Sequence, residues 1–474
     1  MIARILTTPI QKPAGQIPTA KARRVDRDVL AAVLPGPGRD RLTAGEVIAV
    51  TTGQQPGLFT GPLYTVYKAL SAMALARKLE QERGVPVVPV FWVAGDDHDF
   101  AEANHARVLG RDGEVVNIVL RERPHDAPQL PLFREPCGKD ARAALDALAA
   151  ALPDSEFKPA VLEWLESAYT PDANLADAGA QALHRLLAAR GLAVFRAHDP
   201  APKRLAAPTL LRALGEVLAD GLSPVLVEAR LGRDRLRPDG ADFVTRRSGE
   251  RFSRKELERL ASEAPERLSP NVLLRPVVEA VLFPTVAYMG GPAEMEYFAD
   301  AAPLFKSLGV QPQAVVPRWS GVIVESRVDK VLERHALSPS DFDGLPGSLE
   351  AEIARSDLPP EVATAFTDLR REVESRYAEI GGAVQRIDPT LERTVQSARN
   401  AALAGAQEIE KKLVASLKRT QGTLVSQLAR ARAALAPNGK PQERVLTVAS
   451  FLARYGFSLL DAIDAEVARW AGSS

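Results

Sequence analysis

VIAVTTGQQPGLFTGPLYTVYKALSAMALARKLEQERGVPVVPVFWVAGDDHDFAE occupies residues 47–102, and its succession of textures decides the fold. Glu46–Thr52 is an apolar run suited to a strand, and Gly53–Pro62 is a glycine-rich turn. Leu63–Arg83 has helical composition, and Val85–Ala94 is a second apolar run that stops at Gly95-Asp96-Asp97-His98-Asp99. Strand, crossover helix and parallel strand make a βαβ unit. Ligands gather at the carboxyl ends of the strands in open parallel sheets. Both the glycine turn and the acidic cluster therefore belong on the ligand side.

Working outward, residues 1–44 read as an irregular lead-in with short helices. Residues 105–170 read as an insertion, with a strand at Glu114–Leu120 and a helix over Lys139–Ala151. The core resumes with a helix over Asp177–Ala189 and a strand over Leu192–Arg196. Residues 206–275 form a second, arginine-rich insertion of strands and turns. The alternating run Val277–Ala287 leads to Tyr288-Met289-Gly290-Gly291-Pro292, then a helix over Ala293–Leu308 and a short strand over Ala314–Val316. Parallel strands alternating with helices predict an α/β doubly wound core over 1–335.

Beyond that the strand pattern ends. Leu391, Val395, Ala398, Ala402, Ala406 and Ile409 step by four and three, and Leu413, Leu417, Leu424, Leu428, Ala431 and Leu435 continue the stripe after a phase slip. That spacing places one apolar seam along a helix roughly 70 Å long. Glu361–Ile380 would be its antiparallel partner, reversing at Gly381-Gly382. Residues 336–436 are thus expected to be a coiled-coil dimerisation domain, and 437–474 a helical segment docking back on the core.

Four loops carry chemistry. In the first, Gly57, Thr60 and Gly61 offer donors to a substrate or phosphate, and the next helix offers its free N–H groups. Gln54, Gln55, Tyr64 and Lys68 add polar groups that a mere strand-to-helix turn does not need. The stretch is neither GxGxxG nor a Walker loop. In the second, Asp96, Asp97, His98, Asp99 and Glu102 follow a strongly apolar strand; unpaired carboxylates are costly to bury, so they should face a cleft or a cation. The bland alternative is a helix cap, which acids also favour. Asp97, His98 and Asp99 are conceivable Mg²⁺ or zinc ligands, but their spacing matches no closed metal site. Tyr288, Gly290, Gly291, Pro292, Glu294 and Tyr297 form the third loop, and Arg318, Trp319, Ser320 and Gly321 the fourth. His105 and His198-Asp199 are weaker candidates. Cys137, His125, His184 and His335 read as structural or surface residues.

Sixty basic against sixty acidic residues give no net charge, which argues against a surface built for nucleic acid. A single cysteine rules out an internal disulfide and suits a reducing cytoplasm. Met1–Arg24 has no apolar core of signal-peptide length, and no run is long enough for a membrane span.

Four strings carry a resemblance: TGQQPGLFTGPLYTVYKA (52–69), PVFWVAGDDHDFAE (89–102), LSPNVLLRPVVEAVLFPTVAYMGGPAE (268–294) and KPQERVL (440–446). With them the chain resembles the cysteine-ligase (cysteine-adding enzyme) family of bacillithiol biosynthesis over its whole length. The resemblance implies a Rossmann-like core similar to class I aminoacyl-tRNA synthetases. Connective-peptide insertions would fall near 105–165 and 206–270, and an α-helical coiled coil would make a homodimer. It implies amide ligation of cysteine to the glucosamine amine of glucosaminyl-malate, the last step to bacillithiol, and binding of ADP in a pocket apart from the active site. PRWSG (317–321) stands where the synthetases hold their ATP-contacting loop, making Arg318, Trp319, Ser320 and Gly321 nucleotide contacts.

On that basis Asp96, Asp97 and His98 are the catalytic candidates, the first two for an amino group and His98 as proton acceptor. Gln54, Gln55, Gly57, Thr60, Gly61, Tyr64, Asp99, Tyr288, Gly290, Gly291 and Glu294 are the substrate contacts, with ATP or ADP as nucleotide. Rival readings are a metal-assisted hydrolase using Asp96, His98 and Asp99, and a nucleotide-regulated coiled-coil scaffold without turnover. Transfer-RNA aminoacylation is disfavoured by the charge balance. All of these require the glutamine-bearing turn, the aspartate-rich strand tip and the double-glycine corner to meet in one crevice.

Overall fold

The computed structural model describes the chain except residues 1, 9, 11–13, 20, 346, 357, 421 and 474. It divides into two compact units, Met1–Glu325 with Gln442–Ser474, and Ser326–Pro441.

The first unit is built on five parallel strands: β1 (Ile48–Gln54), β2 (Val87–Val93), β3 (Ala193–Arg196), β4 (Thr285–Gly290) and β5 (Ala314–Pro317). Their spatial order is β5-β4-β1-β2-β3, every neighbouring pair parallel. This is the Rossmann order, with its topological switch between β1 and β4. The three central strands are buried along almost their whole length because both faces are covered. Val47, Ala49, Val88, Val90, Trp92 and Phe195 enter one core, while Ile48, Val50, Val87, Val286 and Met289 enter the other. The helix Tyr64–Arg83 lies on the second face, between the sheet and the C-terminal helix Leu459–Ser473. This two-sided packing buries its first three turns nearly all round, with Thr65, Lys68 and Ser71 among the buried residues. It ends at Gly84, whose φ of 65° supplies the left-handed cap.

Between β2 and β3 lie the hairpin His105–Leu109/Val115–Val119 and the helices Asp140–Ala151, Lys158–Glu166 and Leu175–Leu187. Between β3 and β4 lies a five-stranded antiparallel sheet whose strands fall within Val225–Pro270.

Several elements differ from the sequence reading. The lead-in contains a strand, Ile2–Thr7, paired antiparallel with Gly321–Glu325; local pattern carries no trace of a partner so distant in sequence. The alternating run 277–287 splits into the helix Arg275–Leu282 and β4, because Pro284 and the C-cap Phe283 interrupt it. The helix expected over 293–308 is two, Pro292–Asp300 and Ala302–Leu308.

The second unit begins at Ser326, earlier than the expected 336, because the helix Ser326–Arg334 packs on Gly422–Leu435. Its long hairpin joins Pro360–Ile387 to Glu392–Thr420. The reversal is at Asp388-Pro389, not Gly381-Gly382. Glycine weakens a helix but keeps its N–H in the ladder, whereas proline removes the donor and drives the preceding residue out of the helical region. Asp388 accordingly sits at φ −151°, ψ 98°. The expected seam is carried by the helices Glu392–Thr420 and Gly422–Leu435. Among the described residues no helix is long and apolar enough to cross a membrane.

Candidate functional site

A cavity of about 390 Å³ opens at the carboxyl ends of β1, β2 and β4, at the switch point. Gln54, Gln55 and Tyr64 line it from the first loop, Asp96, Asp97 and Glu102 from the second, and Tyr288, Gly291 and Glu294 from the third. Arg318 joins them from the fourth. The three expected tips therefore share one cavity.

Ion pairs tie the tips together. Lys68 donates to the Gly53 carbonyl at 2.9 Å and to Gln54 Oε1 at 2.8 Å, and its ammonium lies 2.6 Å from Glu294 Oε2. Glu294 also accepts from the Tyr288 hydroxyl (2.6 Å) and the Gly291 N–H (2.7 Å). Burial alone would raise this carboxyl, but Lys68, the Gly291 N–H and Tyr288 hold it below the ordinary range. Arg275 lies 4.8 Å over the Tyr288 ring and donates to Glu279 at 2.7 Å. Asp96 faces the buried Lys203 at 2.8 Å. Arg318 forms a two-pronged pair with Glu443 at 2.6 and 2.9 Å.

The acidic turn is backed by the first insertion. Leu132 N–H donates to the Asp97 carbonyl and Phe133 N–H to Gly95. Asp97 Oδ1 accepts the His98 and Asp99 N–H groups, at 2.7 and 3.1 Å. His98 is one residue from the cavity wall, with Arg233, a wall residue, 3.4 Å from its Nδ1. Burial, then Arg233, push its pKa below 6.5 against the pull of Asp97. Both effects favour the neutral imidazole over the charged one. Burial, with Asp99 and Asp97 nearby, lifts the Glu102 carboxyl despite Gln55.

Other candidates lie elsewhere. Asp99 caps the short helix Phe100–Ala103, accepting the Glu102 N–H at 3.0 Å; the bland reading of this residue is the structural one. Gly57, Thr60 and Gly61 lie outside the cavity wall. The Tyr169 hydroxyl donates to the Gly57 carbonyl and accepts the Thr60 N–H, both at 3.1 Å. Phe59 and Thr60 hold left-handed φ values of 52° and 73°, a strain such ties must maintain. The Leu63 N–H at the start of the helix is taken by the Leu446 carbonyl at 2.8 Å, so the expected anion cradle is closed there by the chain's own C-terminal segment.

Gly290 is a strand residue whose carbonyl accepts the Arg318 N–H. Trp319 is fully buried, edge-on to Tyr67 and bonded to Thr7. Ser320 contacts Thr8, and Gly321 begins the strand paired with Ile2–Thr7. A Cβ on Gly321 would stand 2.3 Å from the Trp319 ring. These three anchor the N-terminal strand instead of facing a nucleotide. His105 bonds to the Ala101 carbonyl. His198 pairs with Asp177 at 3.2 Å and stacks on Phe133. Burial pushes the Cys137 thiol up to about 12, which leaves it unreactive.

Among the described residues no group of three His, Cys, Asp or Glu side chains converges as metal ligands do. Asp96 is turned to Lys203 and His98 to Arg233, so cationic side chains stand where the hydrolase reading needs a metal.

Sequence reasoning missed Arg233, Asn271, Arg275 and Arg444 in the wall. The signal for Arg444 was present in KPQERVL, a string noted without a role. Gln442 bonds both backbone groups of Ile323 at 2.9 Å, Glu443 holds Arg318, and Thr447 donates to the Phe59 carbonyl. Such a string reads as a joint only after folding brings it to the loops.

Two family models match the chain. "Bacillithiol biosynthesis BshC, N-terminal Rossmann-like domain" covers residues 39–220 and 226–319. "Bacillithiol biosynthesis BshC, C-terminal coiled-coil domain" covers 321–468. Among curated relatives, the "Putative cysteine ligase BshC" of Salinibacter ruber is 34% identical, with 94% of this chain and 87% of the relative aligned. The proteins of that name from Symbiobacterium thermophilum and Chlorobaculum tepidum are each 32% identical over 89% of this chain, and 82% and 81% of their own lengths. Sheet order, cavity position and both family matches agree: the chain belongs to the BshC family of bacillithiol biosynthesis.

Proposed function

We propose that this chain is a cysteine ligase, joining the carboxylate of cysteine to the glucosamine amine of glucosaminyl-malate by an amide bond at the expense of ATP. The observation that carries this reading is the charge pattern of the cavity. It places the carboxylates Asp97 and Glu102 and the cations Arg233 and Arg444 in one concave wall, a pattern suited to substrates that carry ammonium and carboxylate groups together. The family and the names of the relatives support the same chemistry.

A carboxylate in water does not react with an amine until one of its oxygens can leave. The nucleotide supplies that leaving group as phosphate or AMP, so that amide formation consumes ATP and releases one proton. Asp97, with Asp96 beside it, holds an amino group at the mouth of β2. Neutral His98 accepts the proton that the attacking nitrogen loses. Lys68 and Glu294 fix the first and third loops against each other, so the two substrates meet in a set geometry.

In the same reading the core is a relative of class I aminoacyl-tRNA synthetases, with 105–165 and 206–270 as its connective peptides. The helical hairpin makes a cytoplasmic homodimer. Ile387 and Ile409, 84% and 61% exposed, are apolar positions of the kind that a second copy would cover. A nucleotide site separate from the cavity completes the reading.

The test is to incubate the purified protein with cysteine, glucosaminyl-malate and ATP and to follow bacillithiol by mass. Product formation that depends on all three supports the reading. No product from a folded, dimeric preparation would leave the scaffold alternative standing.

A further inference from the structure

Most charges of the cavity wall are already neutralised by the protein itself. Lys68 is paired with Glu294, Arg275 with Glu279, Arg318 with Glu443 and Asp96 with Lys203. Two carboxylates, Asp97 and Glu102, and two guanidinium groups, Arg233 and Arg444, remain without such a partner among the described residues of the wall. We propose that Arg233 and Arg444 are the specificity-determining residues that hold the carboxylates of the acidic acceptor.

Both are presented on fixed backbone by segments outside the parallel sheet. Arg233 comes from the antiparallel sheet of the second insertion. Its strand passes so close to the first insertion that a Cβ on Gly232 would stand 2.2 Å from the Gln129 carbonyl oxygen, and Gly232 has φ +85°. Gln129 bonds backbone groups on either side of that glycine, accepting the Arg233 N–H at 2.9 Å and donating to Leu231 at 3.0 Å. The Arg233 side chain is then oriented by Nε to Ser269 Oγ (2.8 Å) and a terminal nitrogen to the Pro270 carbonyl (2.7 Å). A guanidinium has five N–H donors in a planar fork, so donors remain on both terminal nitrogens for a ligand. Arg444 is the one exposed residue in the otherwise buried run Gln442–Thr447, and that exposed side chain reaches the cavity.

Anionic oxygens on a ligand come from carboxylate or from phosphate. Carboxylate is the better match. Asp97 and Glu102 stand in the same wall as the two arginines, so the cavity offers places for an ammonium as well as for anionic oxygens, and a polyphosphate carries no ammonium. The identity of the acid rests on the functional reading above; its position rests on the charge pattern alone.

Calorimetric titration of the full chain separates the two. Wild type, Arg233→Lys and Arg444→Ala are titrated with glucosaminyl-malate, free malate, methyl glucosaminide and ATP. Arg233→Lys keeps the charge but loses the fork, and Arg444→Ala alters an exposed side chain, so a fold defect in one variant leaves the other informative. The expected result is glucosaminyl-malate and malate binding weakened tenfold or more in each variant, with the malate-free glucosaminide and ATP unaffected. Undiminished glucosaminyl-malate binding in both variants overturns the inference and leaves the functional reading intact. Loss confined to ATP overturns it in favour of a phosphate site. Wild-type binding of malate that depends on the arginines, without any binding of glucosaminyl-malate, supports the anion site and overturns the functional reading.

Discussion

Glu443→Gln is the substitution whose cost the structure fixes best. Arg318 and Glu443 are 4% and 7% exposed and meet through two bonds of 2.6 and 2.9 Å. At 2.6 Å and an effective dielectric of about 20, the attraction between unit charges is about 6 kcal/mol. Desolvation of both groups offsets much of it. Neutralising one partner keeps the desolvation cost of the other and removes the attraction, for a net loss of about 3–5 kcal/mol. Replacing both, as in Arg318→Met with Glu443→Leu, should recover most of that loss, because neither charge is then buried alone.

The chain offers a convenient probe. All four tryptophans, Trp92, Trp164, Trp319 and Trp470, lie in the unit formed by 1–325 and 442–474, so their fluorescence in urea follows that unit's unfolding. Asp146→Asn is the control. Its pair with Arg142 is also short, at 2.8 Å, but both side chains are more than half exposed, and water screens such pairs so that they contribute little. If Glu443→Gln costs no more than the control, the C-terminal segment is not held to the core through Arg318, and the placement of Arg444 at the cavity loses its basis.

His98 and the hairpin give two further tests. The His98 imidazole, followed by NMR, should titrate below 6.5, and Arg233→Gln should move its midpoint upward, since that guanidinium is the largest cause after burial. The unfolded chain takes this proton more readily than the folded one, so stability should be unaffected above about pH 6.5 and decline as pH falls from there to the folded value; a midpoint above 6.5 contradicts the described surroundings. Gly382→Ala should stabilise the second unit by about 0.5–1 kcal/mol, because the position is inside a helix and a Cβ there meets nothing within 4 Å. Helical ellipticity on heating reads this directly, and a loss of stability would return the chain reversal to the glycines.

The candidate site shows where sequence reasoning is strong and where it stops. Glycines, glutamines and acids directly after apolar runs were legible as the ligand side, because the end of a strand is a local event. Asp97, Glu294 and Tyr64 were found this way. Asp99 shared the same string as Asp97, yet it caps a helix. The two roles differ by a side-chain direction that spacing does not encode.

By itself the sequence determined the βαβ start, the parallel core and the helical hairpin, since burial on two faces and burial along one seam leave different periods in the chain. It also pointed to the loops whose residues line the cavity. Only the tertiary structure decided which distant residues complete the cavity. Arg233 arrives through a close backbone crossing at Gly232, and Arg444 arrives because Glu443 reaches Arg318 and Leu446 closes the helix start at Leu63. Trp319, placed among nucleotide contacts by its position in the chain, is instead interior, pinned by Thr7 and Tyr67. These assignments rest on contacts between residues more than a hundred positions apart, and no local pattern of polarity records such a pairing.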